Sequence, residues 1–105
     1  MEQKIEQFLL DELNEVLQHY SMHAKLESAT GESPAIYRYI VPVQDDNYVD
    51  PNKAIEYAMG SIDINMEESC KRIANRFELI NIEVGSLSSP DGSEIQINIT
   101  GNIKE

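Results

Sequence analysis

The apolar residues change their spacing along the chain, and this change constrains the fold more than any other feature. In residues 2–26 they recur every three or four positions, which places them on one face of a helix. In residues 35–43, 80–84 and 95–99 they alternate with other residues, as in strands with one buried face. A chain with both patterns is expected to fold as an α+β domain. The first segment contributes Ile5, Leu9, Leu13, Val16, Leu17, Tyr20 and Ala24.

The first predicted helix is followed by a polar segment and a predicted strand. Gly31 and Pro34 flank a stretch that is expected to end the helix. Residues 35–43 then alternate, with Ile36 and Ile40 on one side and tyrosines on the other. Pro42 has no amide donor, so we expect an edge position or the end of the strand there.

Residues 50–66 fit two different structures. Asp50 followed by Pro51, with Gly60 ten residues after Asp50, is typical of a short helix over 51–59. The alternative is a strand over 54–66 with a bulge at Gly60, because apolar residues alternate on both sides of that glycine. The sequence favours a strand for residues 61–65 and leaves the residues before them undecided.

The rest of the chain predicts a second helix and a hairpin. Asn65 and Glu68 have the spacing of a capping box at the start of a helix over 65–79. The turn residues 88–92 lie between two alternating segments, which indicates a β-hairpin. The predicted order is therefore α-β-β-α-β-β, with two amphipathic helices on one face of a mostly antiparallel sheet. At 105 residues, we expect one domain over 1–105.

The net charge of -11, from 19 acidic and eight basic residues, indicates the kind of partner. Such a field attracts cations and basic proteins and repels nucleic acid and anionic membranes. The single cysteine, Cys70, cannot form an intramolecular disulfide, which favours a reducing compartment. No stretch has the features of a signal peptide or a membrane span, so a cytoplasmic location is expected.

The residues expected to contact a partner are acidic and aromatic. Carboxylates on the first helix and in the loop over 44–50 could imitate phosphates, and tyrosines anchor protein contacts. Tyr37 and Tyr39 project outward beside Tyr48 if Ile36 and Ile40 are core. In the alternative, these tyrosines cover the sheet or lie under the first helix. The predicted partner-binding residues are Glu12, Glu15, Tyr37, Tyr39, Asp45, Asp46, Tyr48 and Asp50.

Two acidic or histidine-containing segments invite a metal interpretation. Glu15, His19 and His23 are spaced by four residues, which would align them on one helix. A zincin needs a Glu directly after the first His, and Tyr20 is there instead. In the loop that begins at Asp45, an EF-hand would need a Gly where the chain has Asp50. No metal or cofactor is therefore expected.

The other reactive groups have structural explanations. Cys70 lies on the apolar face of the second predicted helix, where a thiol stays protonated. Lys71, Arg72 and Arg76 form a small basic cluster, with Glu68 placed to pair with Arg72 on the helix surface. This cluster is too small for a nucleic-acid interface, and no nucleophile motif is present. We therefore expect a chain that is not an enzyme.

Three functions of different class remain as hypotheses. The first is an inhibitor that occupies the basic, nucleic-acid-binding surface of an enzyme, and the chain resembles DNA-mimic inhibitors of restriction and CRISPR nucleases in size and charge. The second is an assembly subunit that pairs its edges, near Pro42 and at residues 94–103, with other copies; its element order is similar to phage tail and connector subunits. The third is a metal-dependent enzyme that uses His19 and His23.

Overall fold

The computed structural model describes residues 5–30, 34–43, 48–76 and 79–103. Two α-helices and a four-stranded antiparallel sheet form the fold, with strand order β1-β2-β4-β3. The mixed helix and sheet class is therefore confirmed. The elements are α1 (Ile5–Leu17), a 3-10 turn (Gln18–Tyr20), β1 (Lys25–Thr30), β2 (Ala35–Pro42), α2 (Pro51–Arg76), β3 (Leu79–Ser88) and β4 (Glu94–Ile103).

The first helix is shorter than its apolar spacing predicts. Ser21 adopts a left-handed conformation with φ 56°, and the amides of Ser21 and Met22 donate to the carbonyls of Gln18 and Leu17. This pair of bonds is a Schellman ending, which usually uses Gly or Asn, so a serine there gives little signal in the sequence. The prediction of a helix to residue 26 is wrong for this reason.

After this turn the chain runs back as β1, held by the side chain of Asn14. Its Oδ1 accepts from the amide of Ala24 at 2.6 Å, and its Nδ2 donates to the carbonyl of Ala24 at 3.5 Å. Met22 and Ala24 are buried. Ala24 therefore joins the core, as its spacing suggested, but from a non-helical segment.

α2 is a single helix of 26 residues. Asp50 caps it, because its Oδ1 accepts from the amide of Lys53 at 3.2 Å. Gly60 is exposed on the helix surface, where glycine costs about 1 kcal/mol relative to alanine without ending a helix. The predictions of a helix end at Gly60, a strand over 61–65 and a capping box at Asn65 are wrong. One buried stripe explains the continuity: Ile55, Ala58, Ile62, Met66 and Ser69.

The sheet buries one face against the helices. On β2, Ala35, Tyr37, Tyr39 and Val41 are buried, while Arg38 on the opposite face is exposed. On β4 the buried residues are Ile95, Ile97 and Ile99. These side chains form one core cluster with Leu9, Leu13 and Leu17 of α1 and the buried stripe of α2.

The strand order corrects the predicted edges. β2 pairs with both β1 and β4, and β4 pairs with both β2 and β3, so both lie inside the sheet. Of the two positions predicted for Pro42, the end of the strand is confirmed and the edge is wrong, because Pro42 is the last residue of the interior strand β2. The two strands named for the assembly hypothesis are therefore interior. The edges are β1 and β3.

The C-terminal hairpin has the predicted turn. Gly92 has a φ of 72°, and its amide donates to the carbonyl of Ser89 at 3.0 Å. Oδ1 of Asp91 accepts from the Ser93 amide and from the hydroxyls of Ser89 and Ser93. These hydrogen bonds lower the pKa of the Asp91 carboxyl to about 2, and the bond from the Ser93 hydroxyl has the largest effect.

Candidate functional site: an anionic helix layer

α1 and α2 run antiparallel and leave a polar groove between them. Glu12 of α1 contacts Ser69, and Tyr20, eight residues later, contacts Ser61, eight residues earlier in α2. The groove has a volume of about 340 Å³. We call it the helix groove; its lining includes Glu12, Glu15, His19, Asn65, Glu68 and Arg72.

Glu12 is the anchor of the helix groove rather than a free anion. Its Oε2 accepts from the Ser69 hydroxyl and from Nη2 of Arg72, each at 3.1 Å. Arg72 also donates to the Ser69 hydroxyl at 3.2 Å, and the Ser69 residue is only 2% exposed. The three groups therefore join the two helices. Sequence spacing predicted a pair between Glu68 and Arg72, but the structure pairs Glu68 with Lys71 at 3.5 Å.

The other end of the helix groove is closed by tyrosines. The hydroxyls of Tyr20 and Ser61 share a hydrogen bond across the two helices. Tyr48 donates to the carbonyls of Tyr20 and Ser21, at 2.7 and 3.1 Å. Burial raises the pKa of Tyr48, so this hydroxyl stays a donor at neutral pH. Tyr48 thus holds the segment before α2 against the end of α1.

Tyr37 and Tyr39 do not belong to a contact surface. They are 5% and 0% exposed, because their face of β2 packs inward. The Tyr39 hydroxyl donates to the carbonyl of Glu6 at 2.9 Å, so this ring lies under α1. Burial, and then the charge of Glu6, raises the pKa of both tyrosines. The arrangement in which they project outward is wrong, and the alternative under the first helix is the one observed for Tyr39.

The predicted acidic residues are only partly brought together. Glu15 is exposed at the rim of the helix groove, close to Tyr20. Asp50 is exposed and caps α2 two residues after Tyr48. Asp45 and Asp46 lie outside the described residues. Of the predicted contact residues, Glu15 and Asp50 therefore keep exposed carboxylates in the part of the chain that the structure covers.

The histidine pair lacks the geometry that suggested a metal. His19 belongs to the 3-10 turn, and His23 follows the left-handed Ser21, so the two do not lie one turn apart on a helix. Among residues 5–30, 34–43, 48–76 and 79–103, no group of three His, Cys, Asp or Glu side chains is placed to hold a metal ion. The spacing argument for the third hypothesis is therefore wrong.

The charges are distributed unevenly among the helices and strands, and α2 itself is balanced, with four acidic and four basic residues. α1 has four carboxylates, Glu6, Asp11, Glu12 and Glu15, and no Lys or Arg in 13 residues. The four strands together carry five charged side chains of both signs: Lys25, Glu27, Arg38, Glu83 and Glu94. Among the helices and strands, α1 therefore has the largest excess of negative charge.

A second groove lies between α2 and the edge strand β3. It has a volume of about 450 Å³ and is lined by residues of these two elements, including Asp63, Glu67, Cys70, Ile82 and Val84. Burial raises the pKa of the half-buried Cys70 thiol to about 11, so the thiol is protonated at neutral pH, as predicted. We call this feature the edge groove.

No protein-family model, no curated protein and no solved structure matches the chain. Among the described residues, no helix combines the length and the hydropathy that crossing a bilayer requires.

Proposed function

We propose that this chain is a non-enzymatic binding module that uses its helix layer to occupy a basic surface on a partner protein. The observation that carries the proposal is the contrast between α1, with four carboxylates and no cation, and strands of mixed charge. A partner surface rich in Lys and Arg should be attracted most strongly to this side of the molecule.

The partner class that best fits this surface is a protein that handles nucleic acid. Such proteins present cations to a backbone with one charge per roughly 1.7 Å of duplex. Along α1, Asp11 and Glu15 are one turn apart, or about 6 Å along the axis, so one face of the helix presents successive anions. In this proposal the chain inhibits the partner by competing with nucleic acid for the cationic site.

The rest of the site supports a rigid surface rather than a catalytic one. Glu12 is held by Ser69 and Arg72, and the Tyr20–Ser61 bond closes the other end of the helix groove. These contacts fix the helices side by side, so the carboxylates of α1 are presented without ordering the backbone at the time of binding. Preorganisation of this kind lowers the entropic cost of association.

Affinity capture from nuclease-treated lysate tests the proposal. The bait is the wild-type chain, compared with Glu6→Lys/Glu15→Lys on α1 and with the matched variant Glu27→Lys/Glu94→Lys on the strands. We expect a basic protein that wild type retains at about 50 mM salt and loses near 500 mM, because screening weakens the attraction. Added duplex DNA should displace it.

The matched variants distinguish the effect of where the charge lies from the effect of the total charge. Both raise the net charge equally, and circular dichroism checks that both fold. The α1 variant should lose the partner, while the strand variant should keep it. Equal loss in both variants, or retention that salt and DNA leave unchanged, would contradict the proposal.

A further inference from the structure

The two edges of the sheet are built differently. β1 is six residues long, carries Lys25, and has an irregular register between Leu26 and Ser28. A short strand with a lysine and a bulge is protected against pairing with another chain. β3 is ten residues long with one charged side chain, Glu83. Its register with β4 shifts between Ile80 and Glu83, as that of β1 does, but is regular over the six residues from Glu83 to Ser88. Within the described residues, no strand pairs with its outer side.

The edge groove adds charge to this open edge. α2 packs against β3, and its Asp63, Glu67 and Lys71 line the groove together with Ile82 and Val84. Lys71 pairs with Glu68 at 3.5 Å, which leaves the carboxylates of Asp63 and Glu67 to face a basic partner. Asp63 and Glu67 are four residues apart, which is about 6 Å along a helix axis. Side chains on one face of a strand are spaced by about 6.7 Å. A strand added beside β3 could therefore bring two successive side chains to these two carboxylates.

We propose that the outer edge of β3 accepts an extended basic segment of the partner as a fifth strand. Main-chain hydrogen bonds to β3 would hold the segment, as in other cases of β-strand addition. Its Lys or Arg side chains would face Asp63 and Glu67, and the alternate apolar side chains would lie beside Leu87, which is 64% exposed on the opposite face. The inference rests on the proposed function, because it takes the partner to be basic.

Charge selects this occupant over a second copy of the chain. Pairing of β3 with β3 around a two-fold axis would set two α2 helices side by side on the same face of a continuous sheet. The edge grooves of the two copies would then meet, and each contributes the carboxylates of Asp63 and Glu67 with one lysine, Lys71, that already pairs with Glu68. Like charges in that position oppose association, whereas a Lys- or Arg-bearing strand neutralises them.

A synthetic peptide tests this interface directly. The probe is a capped peptide of about ten residues, the length of β3, in which Lys and Val alternate. Fluorescence anisotropy measures its affinity for wild type, for Asp63→Lys/Glu67→Lys, and for the matched α1 variant Glu6→Lys/Glu15→Lys. We expect the α2 variant to weaken binding about tenfold and the α1 variant to weaken it less than about threefold.

Hydrogen exchange locates the added strand. With the peptide bound, amides of residues 83–88 should exchange more slowly, because an added strand protects part of this edge. A peptide of the same composition with its lysines in one block should bind more weakly and leave β3 unprotected. Equal binding of both peptides would overturn the proposal, as would binding of the alternating peptide without protection of β3.

The outcomes separate this inference from the proposed function. Peptide binding that depends on α1 and not on Asp63 and Glu67 would refute the β3 edge while leaving the anionic helix layer intact. Protection of β3 that appears without peptide and rises with protein concentration would mean that a second copy occupies the edge, which also overturns the proposal. Failure of the capture experiment with the α1 variant would instead refute the proposed function.

Discussion

The helix layer and the outer face of the sheet cover opposite sides of the molecule and differ in charge. Glu6, Asp11, Glu12 and Glu15 follow one another on α1 without a cation on the same helix. On the outer sheet face, Arg38 lies opposite Ser28 on β1 and Asn98 on β4, and it lines a shallow groove together with Glu27, so charges of both signs are mixed there. The difference shows that α1, with four acidic and no basic residues, carries more net negative charge than the four strands, with three acidic and two basic residues.

The same comparison separates residues that hold the fold from residues that are free for contact. The helix layer contains both: Leu9 and Leu13 are buried, while Glu15 is exposed. On the outer sheet face, Ile36 and Ile40 are half-buried and Leu87 is exposed. Mutations on the two sides should therefore differ most in their effect on the free energy of unfolding when the helix side chain is one that enters the core.

The largest expected effect follows from removing a core side chain of α1. Leu13 is fully buried, so Leu13→Ala should lower the free energy of unfolding by about 2–5 kcal/mol. Leu87→Ala, on the outer sheet face, should change it by less than about 0.5 kcal/mol. Urea unfolding followed by circular dichroism gives both values. Equal losses would show that the outer face is covered.

The second effect concerns the link between α1 and the sheet. Asn14→Ala removes both bonds to Ala24 and leaves the buried amide of Ala24 without its partner. We expect a loss of about 1–3 kcal/mol in the free energy of unfolding. Gln18→Ala, at an exposed position, is the matched control and should be nearly neutral. An equally small effect at Asn14 would mean that another group satisfies the Ala24 amide.

The parts of the fold that could be predicted were those for which the sequence contains a local signal. β2, the hairpin and the Asp50 cap follow from alternation, turn residues and the Asp-Pro pair. The end of α1 did not, because Ser21 replaces the usual glycine of a left-handed ending. Alternation of Ile62, Ile64 and Met66 suggested a strand, although Ile64 is 72% exposed on a continuous helix.

The candidate site was predictable in its charge but not in its contacts. Glu12 and Glu15 were identified because they are acidic and lie on a helix. Their roles differ, since Arg72 reaches Glu12 across 60 residues of sequence and no local spacing shows this. Burial of Tyr37 and Tyr39 was equally hidden, because alternation defines two faces of β2 without saying which one packs inward.

The third effect compares two ion pairs within the helix layer. Arg72 joins α1 to α2 through Glu12, whose side chain is 19% exposed, whereas Lys71 and Glu68 are 66% and 74% exposed. Arg72→Ala should cost about 1 kcal/mol, and Lys71→Ala about 0.3 kcal/mol, because solvent screens the exposed pair. Thermal unfolding of both variants measures the difference. Equal costs would mean that the bridge to Glu12 does not hold the helices.

The smallest effect belongs to the hairpin turn, far from the charged helix. Because folding lowers the pKa of Asp91 from 3.8 to about 2, its contribution to stability is present above pH 4 and is lost as the pH falls toward 2. Asp91→Asn should remove this part of the pH dependence. Melting temperatures between pH 5 and 2 test it, and an unchanged slope in the variant would contradict the role of the serine bonds.

The most direct test of the account is a map of the electrostatic potential at the surface. Paramagnetic relaxation of backbone amide protons is measured with a cationic nitroxide and with its neutral analogue, at low salt. The ratio of the two effects should be highest for exposed amides of α1 and much lower for the exposed amides of β1 and β3. The same ratio over α1 and over the strands would contradict the central claim that the negative charge is stronger over α1 than over the sheet.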